Sequence, residues 1–161
     1  MIVHHAGEVA PKDLRLDATL DAARAAVWRC WREPALLKEW YCPKPWRVDS
    51  IDAVYEPGGR FNSVFAGPNG ERFENVGCLI EIETGRKLVF TDGYTEGFTP
   101  AEKHFMAGYL ELSDAPDGKT RMIWGARHAT QEDTKKHLDM GFVEGWKAAA
   151  LQLEALAAHL D

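Results

Sequence analysis

Positive charge is in short supply in this chain. Lysine and arginine number 19 against 25 aspartates and glutamates, a formal net charge of −6. No stretch gathers the cationic face that a phosphate backbone requires, which excludes a nucleic-acid partner. Cysteine is scarce as well: Cys30, Cys42 and Cys78 form no C-x-x-C pair and are scattered along the chain. That pattern excludes a disulfide framework or a zinc site and suggests reduced thiols. No apolar run approaches the length of a membrane span. The opening MIVHHAGEVAPKD has neither the basic region nor the apolar core of a secretory leader, so a cytoplasmic protein without membrane insertion is expected. Signatures of dedicated chemistry are missing too: a nucleophile elbow G-x-S-x-G, a P-loop, G-x-G-x-x-G and H-E-x-x-H are all absent. Neither a cofactor nor a metal is expected.

What is present suits a single globular domain. The 161 residues are 45% hydrophobic, 27% charged and 11% aromatic, with six tryptophans, enough to bury a full core without covalent staples. Residues 1–13 read as an irregular N-terminal extension, with His4 and His5 as an exposed pair in a poorly ordered tail rather than a metal site. Residues 14–161 carry the domain. Leu14, Leu16, Ala18 and Leu20 alternate with polar neighbours, the period-2 mark of a half-buried strand. Asp21 stands where it could cap an alanine-rich helix bearing Val27, Trp28 and Trp31, and Pro34 fits the first turn of a second helix ending in Trp40 and Tyr41. From Trp46 to His128 six strands follow on short turns, among them Pro57-Gly58-Gly59 and the Asn69-Gly70 hairpin pair. The last thirty or so residues predict one long helix. Leu138, Phe142, Trp146, Ala149, Leu153, Leu156 and Leu160 draw its apolar stripe, and Gly141 and Gly145 mark a bend or a close approach. The expected fold is therefore α+β: a strand, two helices, six strands and a helix. A curved, seven-stranded antiparallel sheet would grip the C-terminal helix around an internal apolar cavity.

Several motifs in this order are familiar. They are Ala-Ala-x-Ala-Ala-Val-Trp at the first helix, Trp40-x-x-Pro43, Pro57-Gly58-Gly59-Arg60-Phe61, Gly67-Pro68-Asn69-Gly70, Gly77-x-x-x-Glu81-Ile82, Gly118-Lys119-Thr120 and Gly145-Trp146. Together they resemble the family named after the C-terminal domain of the activator of the heat-shock-protein-90 ATPase, within the START-like, helix-grip superfamily. Tyr41 departs conservatively from the second tryptophan often found there. The resemblance implies a helix-grip fold, also described as Bet v 1-like, and an internal site for sterols, lipids or aromatic metabolites, with a minority of enzymes among such proteins. The founding cochaperone also uses a separate N-terminal domain, for which this sequence leaves no room, so chaperone activation is not expected.

Candidate ligand-binding residues are Trp40, Trp46, Phe61, Phe65, Phe90, Tyr94, Met106, Trp124, Phe142 and Trp146, which such a fold would converge. Aromatic walls suit a hydrophobic or flat ligand; the plainer alternative is a solid aromatic core, and both stay open. Weak candidates for acid or base chemistry are His128, His104, Asp92 and Tyr94. Met122, Trp124, Ala126 and His128 share one face of the last strand, so His128 would reach the cavity mouth if that face points inward. Three functions follow: non-catalytic binding of a hydrophobic small molecule, a cyclase-, dehydratase- or hydrolase-type enzyme, and a regulatory or chaperone-associated interaction module. A homodimer is left open.

Overall fold

A computed structural model describes residues 1–160. The chain begins with β1 (Ile2–Ala10) and β2 (Asp13–Leu20), continues through α1 (Arg24–Arg32) and α2 (Pro34–Trp40), and then enters the strand-rich middle. There β3 (Arg47–Ala53), β4 (Phe61–Ala66), β5 (Arg72–Asn75), β6 (Cys78–Glu83), β7 (Lys87–Thr91), β8 (Tyr94–Thr95), β9 (Thr99–Pro100), β10 (Met106–Ala115) and β11 (Lys119–His128) follow in turn. Two helices close the chain, α3 (Gln131–Asp139) and α4 (Phe142–Ala157). The principal sheet has six antiparallel strands in the order β1-β2-β11-β10-β7-β6, and β3-β4-β5 form a second sheet. This is the expected helix-grip architecture, with its strands distributed differently.

The core follows from period 2 on the strands. Leu14, Leu16, Ala18 and Leu20 of β2 and Met122, Trp124, Ala126 and His128 of β11 are all buried, while Arg121 and Arg127, on the opposite face of β11, are exposed. On α1 the buried set is Ala26, Val27, Trp28, Cys30 and Trp31, one side of a helix; on α4 it includes Ala149, Ala150, Leu153 and Ala157. Small residues at those positions let α4 lie close on the sheet and on α1.

Four expectations need correcting. First, the N-terminal residues are not irregular: Ile2–Ala10 is an edge strand paired along β2 from Ile2↔Thr19 to Ala10↔Asp13, and His4 is bonded to the Thr19 hydroxyl at 2.7 Å. Its nearly continuous exposure explains why no alternation marks it. Second, α1 starts two residues later than Asp21 suggested; Ala23 is the N-cap and no side chain caps it. Third, Phe73–Glu83, which the reading of six strands between Trp46 and His128 takes as a single strand, is broken at Val76-Gly77. The Gly77 α-carbon lies so close to the Thr91 carbonyl that a side chain would stand 2.7 Å from it. Its N–H leaves the ladder for Asn62 Oδ1 at 3.1 Å. β5 therefore belongs to the second sheet and β6 to the first. The two sheets stay joined by the Arg60↔Cys78 bridge and by Leu79 N–H to the Gly59 carbonyl at 2.9 Å.

Fourth, the last helix is two helices. Gly141 adopts φ +94°, a left-handed conformation that suits glycine and ends one helix while starting another. The bend expected from the glycines thus sits at Gly141. Gly145 is an ordinary helical residue, with open space where its side chain would be.

Candidate functional site

Between the principal sheet and the helices lies a cluster of aromatic rings, and each arrives from a different element. Trp31 comes from the inner side of α1, Trp40 from the end of α2 and Trp124 from the inner face of β11; they are 0%, 0% and 3% exposed. Their rings meet edge to face, with centroids 4.7 Å apart for Trp31–Trp40, 5.3 Å for Trp31–Trp124 and 5.6 Å for Trp40–Trp124. Two half-buried rings flank Trp124 in near-parallel orientation: Trp146 of α4 at 4.1 Å and Tyr41 at 6.3 Å. Tyr41 also reaches Phe65 at 5.9 Å and Phe61 at 6.4 Å, and Phe61 continues to Phe90 at 4.9 Å. Gly108 is what lets Phe90 lie flat on the sheet, since a side chain there would come within 2.4 Å of its ring.

The deep end of the expected cavity is therefore occupied by its own walls. At the edge of the cluster Tyr41, Phe61, Phe65, Met106 and Trp146 are all half-buried. Two clefts lie elsewhere. One of about 200 Å³ sits on the outer face of the sheet beside Lys87, Glu111 and Ile123, and one of about 310 Å³ lies between α2 and the Lys44–Val48 segment.

The polar groups of the aromatic cluster are unevenly satisfied. Trp40 Nε1–H donates to the Cys30 carbonyl at 2.9 Å. Trp31 Nε1 and Trp124 Nε1 are sealed from solvent and find no acceptor. An unmet buried donor costs about 1–3 kcal/mol. Burying a whole indole, on the order of 200 Å² at ~25 cal/mol per Å², returns roughly 5 kcal/mol, so the rings stay inside despite the unmet donors. The Tyr41 hydroxyl is held firmly neutral, its pKa raised by burial and further by Tyr55.

At one end of the cluster a histidine pair takes over. His128, 5% exposed, places Nδ1 3.2 Å from the Lys12 carbonyl and Nε2 2.8 Å from Nδ1 of His137 on α3. Phe105 lies 5.3 Å from both imidazoles, and Phe142 and Trp146 lie 5.1 and 5.8 Å from His137. Burial pushes the His137 pKa down to about 4, with the neighbouring His128 acting in the same direction.

Of the residues expected to line a ligand site, Trp40, Phe61, Phe65, Phe90, Trp124, Phe142 and Trp146 are brought into one chain of ring contacts, and Met106 packs on the same core. Trp46 and Tyr94 are not part of it. Trp46 pairs with the exposed Phe73 at 5.9 Å, and Tyr94 with the exposed Phe98 at 6.1 Å.

Among the acid–base candidates, only His128 belongs to the cluster. His104 is exposed and sits 3.4 Å from Asp92, whose Oδ1 accepts the Phe105 and Met106 N–H groups at 2.9 and 3.2 Å. Asp92 thus pins a loop, and Tyr94 faces outward. Four residues were missed. Trp31 lay on a recognised helix face and Tyr41 beside a named tryptophan, so both were within reach of sequence reasoning. Phe105 precedes its strand, and nothing in the sequence pairs His137 with His128. Among the described residues, no group of three or more His, Cys, Asp or Glu could hold a metal, and no helix is long and apolar enough to cross a membrane.

A family model described as "Activator of Hsp90 ATPase homolog 1-like protein" matches residues 21–158. Among solved structures, the chain is similar to protein NE0264 from Nitrosomonas europaea, with 37% identity and a TM-score of 0.88 over 92% of this chain and 96% of that one. Protein Ms6760 from Mycobacterium smegmatis is 24% identical with a TM-score of 0.80, covering 100% of this chain and 98% of its own. A protein from Arthrobacter aurescens, 24% identical with a TM-score of 0.77, covers 98% and 91%. These last two similarities speak to the fold alone. No curated protein matches.

Proposed function

Because this chain belongs to the Activator of Hsp90 ATPase homolog 1-like family, a fold that commonly binds ligands, we propose that it binds an apolar, aromatic small molecule bearing a hydrogen-bond acceptor at the mouth of the grip. The observation that carries this reading is the pair of sealed indole N–H groups of Trp31 and Trp124 without acceptors. Trp124, which Trp31 and Trp40 meet edge to face, is flanked in near-parallel orientation by two half-buried rings, Tyr41 and Trp146. Turning either ring aside opens a slot walled by aromatic faces, and a ligand ring takes the vacated stacking position. A carbonyl or ether oxygen that reaches past the ring edge into the indole plane then accepts the Trp124 N–H, which removes the penalty of leaving it unmet.

Two naphthalenes of similar shape test this: 2-acetylnaphthalene, with a carbonyl acceptor, and 2-ethylnaphthalene, without one. The expected result is a rise in melting temperature and a change in tryptophan fluorescence with the ketone, larger than with the hydrocarbon. The difference should shrink in Trp124→Phe. If neither compound, nor a wider panel of aromatic ketones, fatty acids and sterols, changes either signal, the reading is wrong.

A further inference from the structure

The hydrogen bonds around the histidine pair determine which nitrogens carry protons. The Lys12 carbonyl can only accept, so Nδ1 of His128 is the protonated nitrogen. In the neutral ring Nε2 is then a bare acceptor, and the proton in the 2.8 Å contact with His137 belongs to His137 Nδ1. His137 Nε2 is thereby left with an open lone pair. It is not among the sealed unmet atoms, and no donor reaches it among the described residues.

The surroundings of that lone pair are apolar. Phe105, Phe142 and Trp146 stand around the imidazole. Of the charged residues of its own helix, Glu132, Lys135, Lys136 and Asp139 are exposed and Asp133, one turn before His137, is half-buried; Glu144 at the start of α4 is exposed. Lys12 offers a carbonyl rather than its ammonium group. His137 stays neutral at any ordinary pH because burial holds its pKa near about 4. A neutral acceptor in an aromatic box receives a neutral donor well and an anion poorly, since no cation faces the site to offset the cost of removing a carboxylate from water. The box is continuous with the proposed ligand slot, because Trp146 touches both His137 and Trp124.

We infer that His137 Nε2 is a specificity-determining acceptor for a ligand hydroxyl, so that the preferred ligand is an uncharged phenol, enol or aromatic alcohol rather than an aromatic acid. This rests on the ligand-binding reading above and adds the class of ligand. His128 acts through His137: by accepting its Nδ1 proton it keeps Nε2 bare, which makes His128 a positioning residue.

The test uses the intact protein and calorimetric titration with 2-naphthol, 2-methoxynaphthalene and 2-naphthoate at neutral pH. 2-Naphthol should bind about tenfold more tightly than 2-methoxynaphthalene, the factor that one net hydrogen bond supplies, and 2-naphthoate should bind more weakly than either. In His137→Phe the preference for the hydroxyl should fall to near one. A second readout is nitrogen NMR of the wild type, which avoids any folding defect in the variant: His137 should show a protonated Nδ1 and a bare Nε2 that shifts on adding 2-naphthol. Equal binding of the hydroxyl and methoxy compounds, tighter binding of the acid, or a protonated Nε2 each overturns the inference while leaving ligand binding intact. Absence of binding by every naphthalene removes the underlying reading as well.

Discussion

Acidification should destabilise this protein through one residue in particular. His137 has its pKa lowered to about 4 in the folded chain by burial and by His128, against about 6.5 when the chain is unfolded. Between those values the unfolded chain holds a proton that the folded chain refuses, so stability is lost as pH falls from about 6.5 towards 4. Integrating over that difference, the step from about pH 7 to about pH 5 costs roughly 2 kcal/mol. For a chain of this size that is a drop of about 4–8 °C in melting temperature. Below that window carboxylates add losses of their own; Asp17, for one, is held below the usual carboxylate range by its bond to Arg121. The measurement must therefore be a comparison. His137→Gln keeps an N–H for His128 Nε2 but cannot take up a proton. Urea unfolding of both proteins at a series of pH values should show the wild type losing about 2 kcal/mol more than the variant over that step. Parallel curves for the two proteins would refute the reasoning, because they would mean that His137 is as easily protonated folded as unfolded.

Three further outcomes follow from the geometry. Trp31 and Trp40 are both fully buried, but only Trp40 has an acceptor for its N–H; Trp40→Phe should therefore destabilise by about 1–3 kcal/mol more than Trp31→Phe in urea melts. Gly145→Ala, facing open space inside α4, should stabilise by about 0.5–1 kcal/mol, whereas Gly108→Ala, driving a methyl group into the Phe90 ring, should cost about 1–3 kcal/mol, both read as shifts in urea midpoint. Burial raises the thiol pKa values of Cys30 and Cys42 to about 11, so a thiol-specific chromogenic reagent at mildly alkaline pH should react with them only after denaturant is added.

The parts of this fold that were legible in the sequence are those where one face is wet and the other dry. β2 and β11 showed their alternation because Arg15, Asp17, Arg121 and Arg127 stand outward between buried residues. β1 lacks that contrast, as nearly all its residues are exposed, and its pairing with β2 is carried by backbone hydrogen bonds that composition does not encode. The same logic explains the site. Rings on regular elements, such as Trp124 and Trp146, could be assigned by period. Trp46 and Tyr94 could not, because their pairing with Phe73 and Phe98 depends on loop paths rather than on strand register. His137 is the sharpest case. In one continuous helix it lies nine residues before Trp146 and hence about 180° around the axis from it, on the wet side. The left-handed Gly141 resets the phase, and the two rings meet at 5.8 Å. A glycine legible only as a weak point in a helix is thus what carries a histidine from the solvent face to the aromatic mouth. The polar end of the proposed site depends on that one backbone conformation, because a β-carbon at position 141 would strain it.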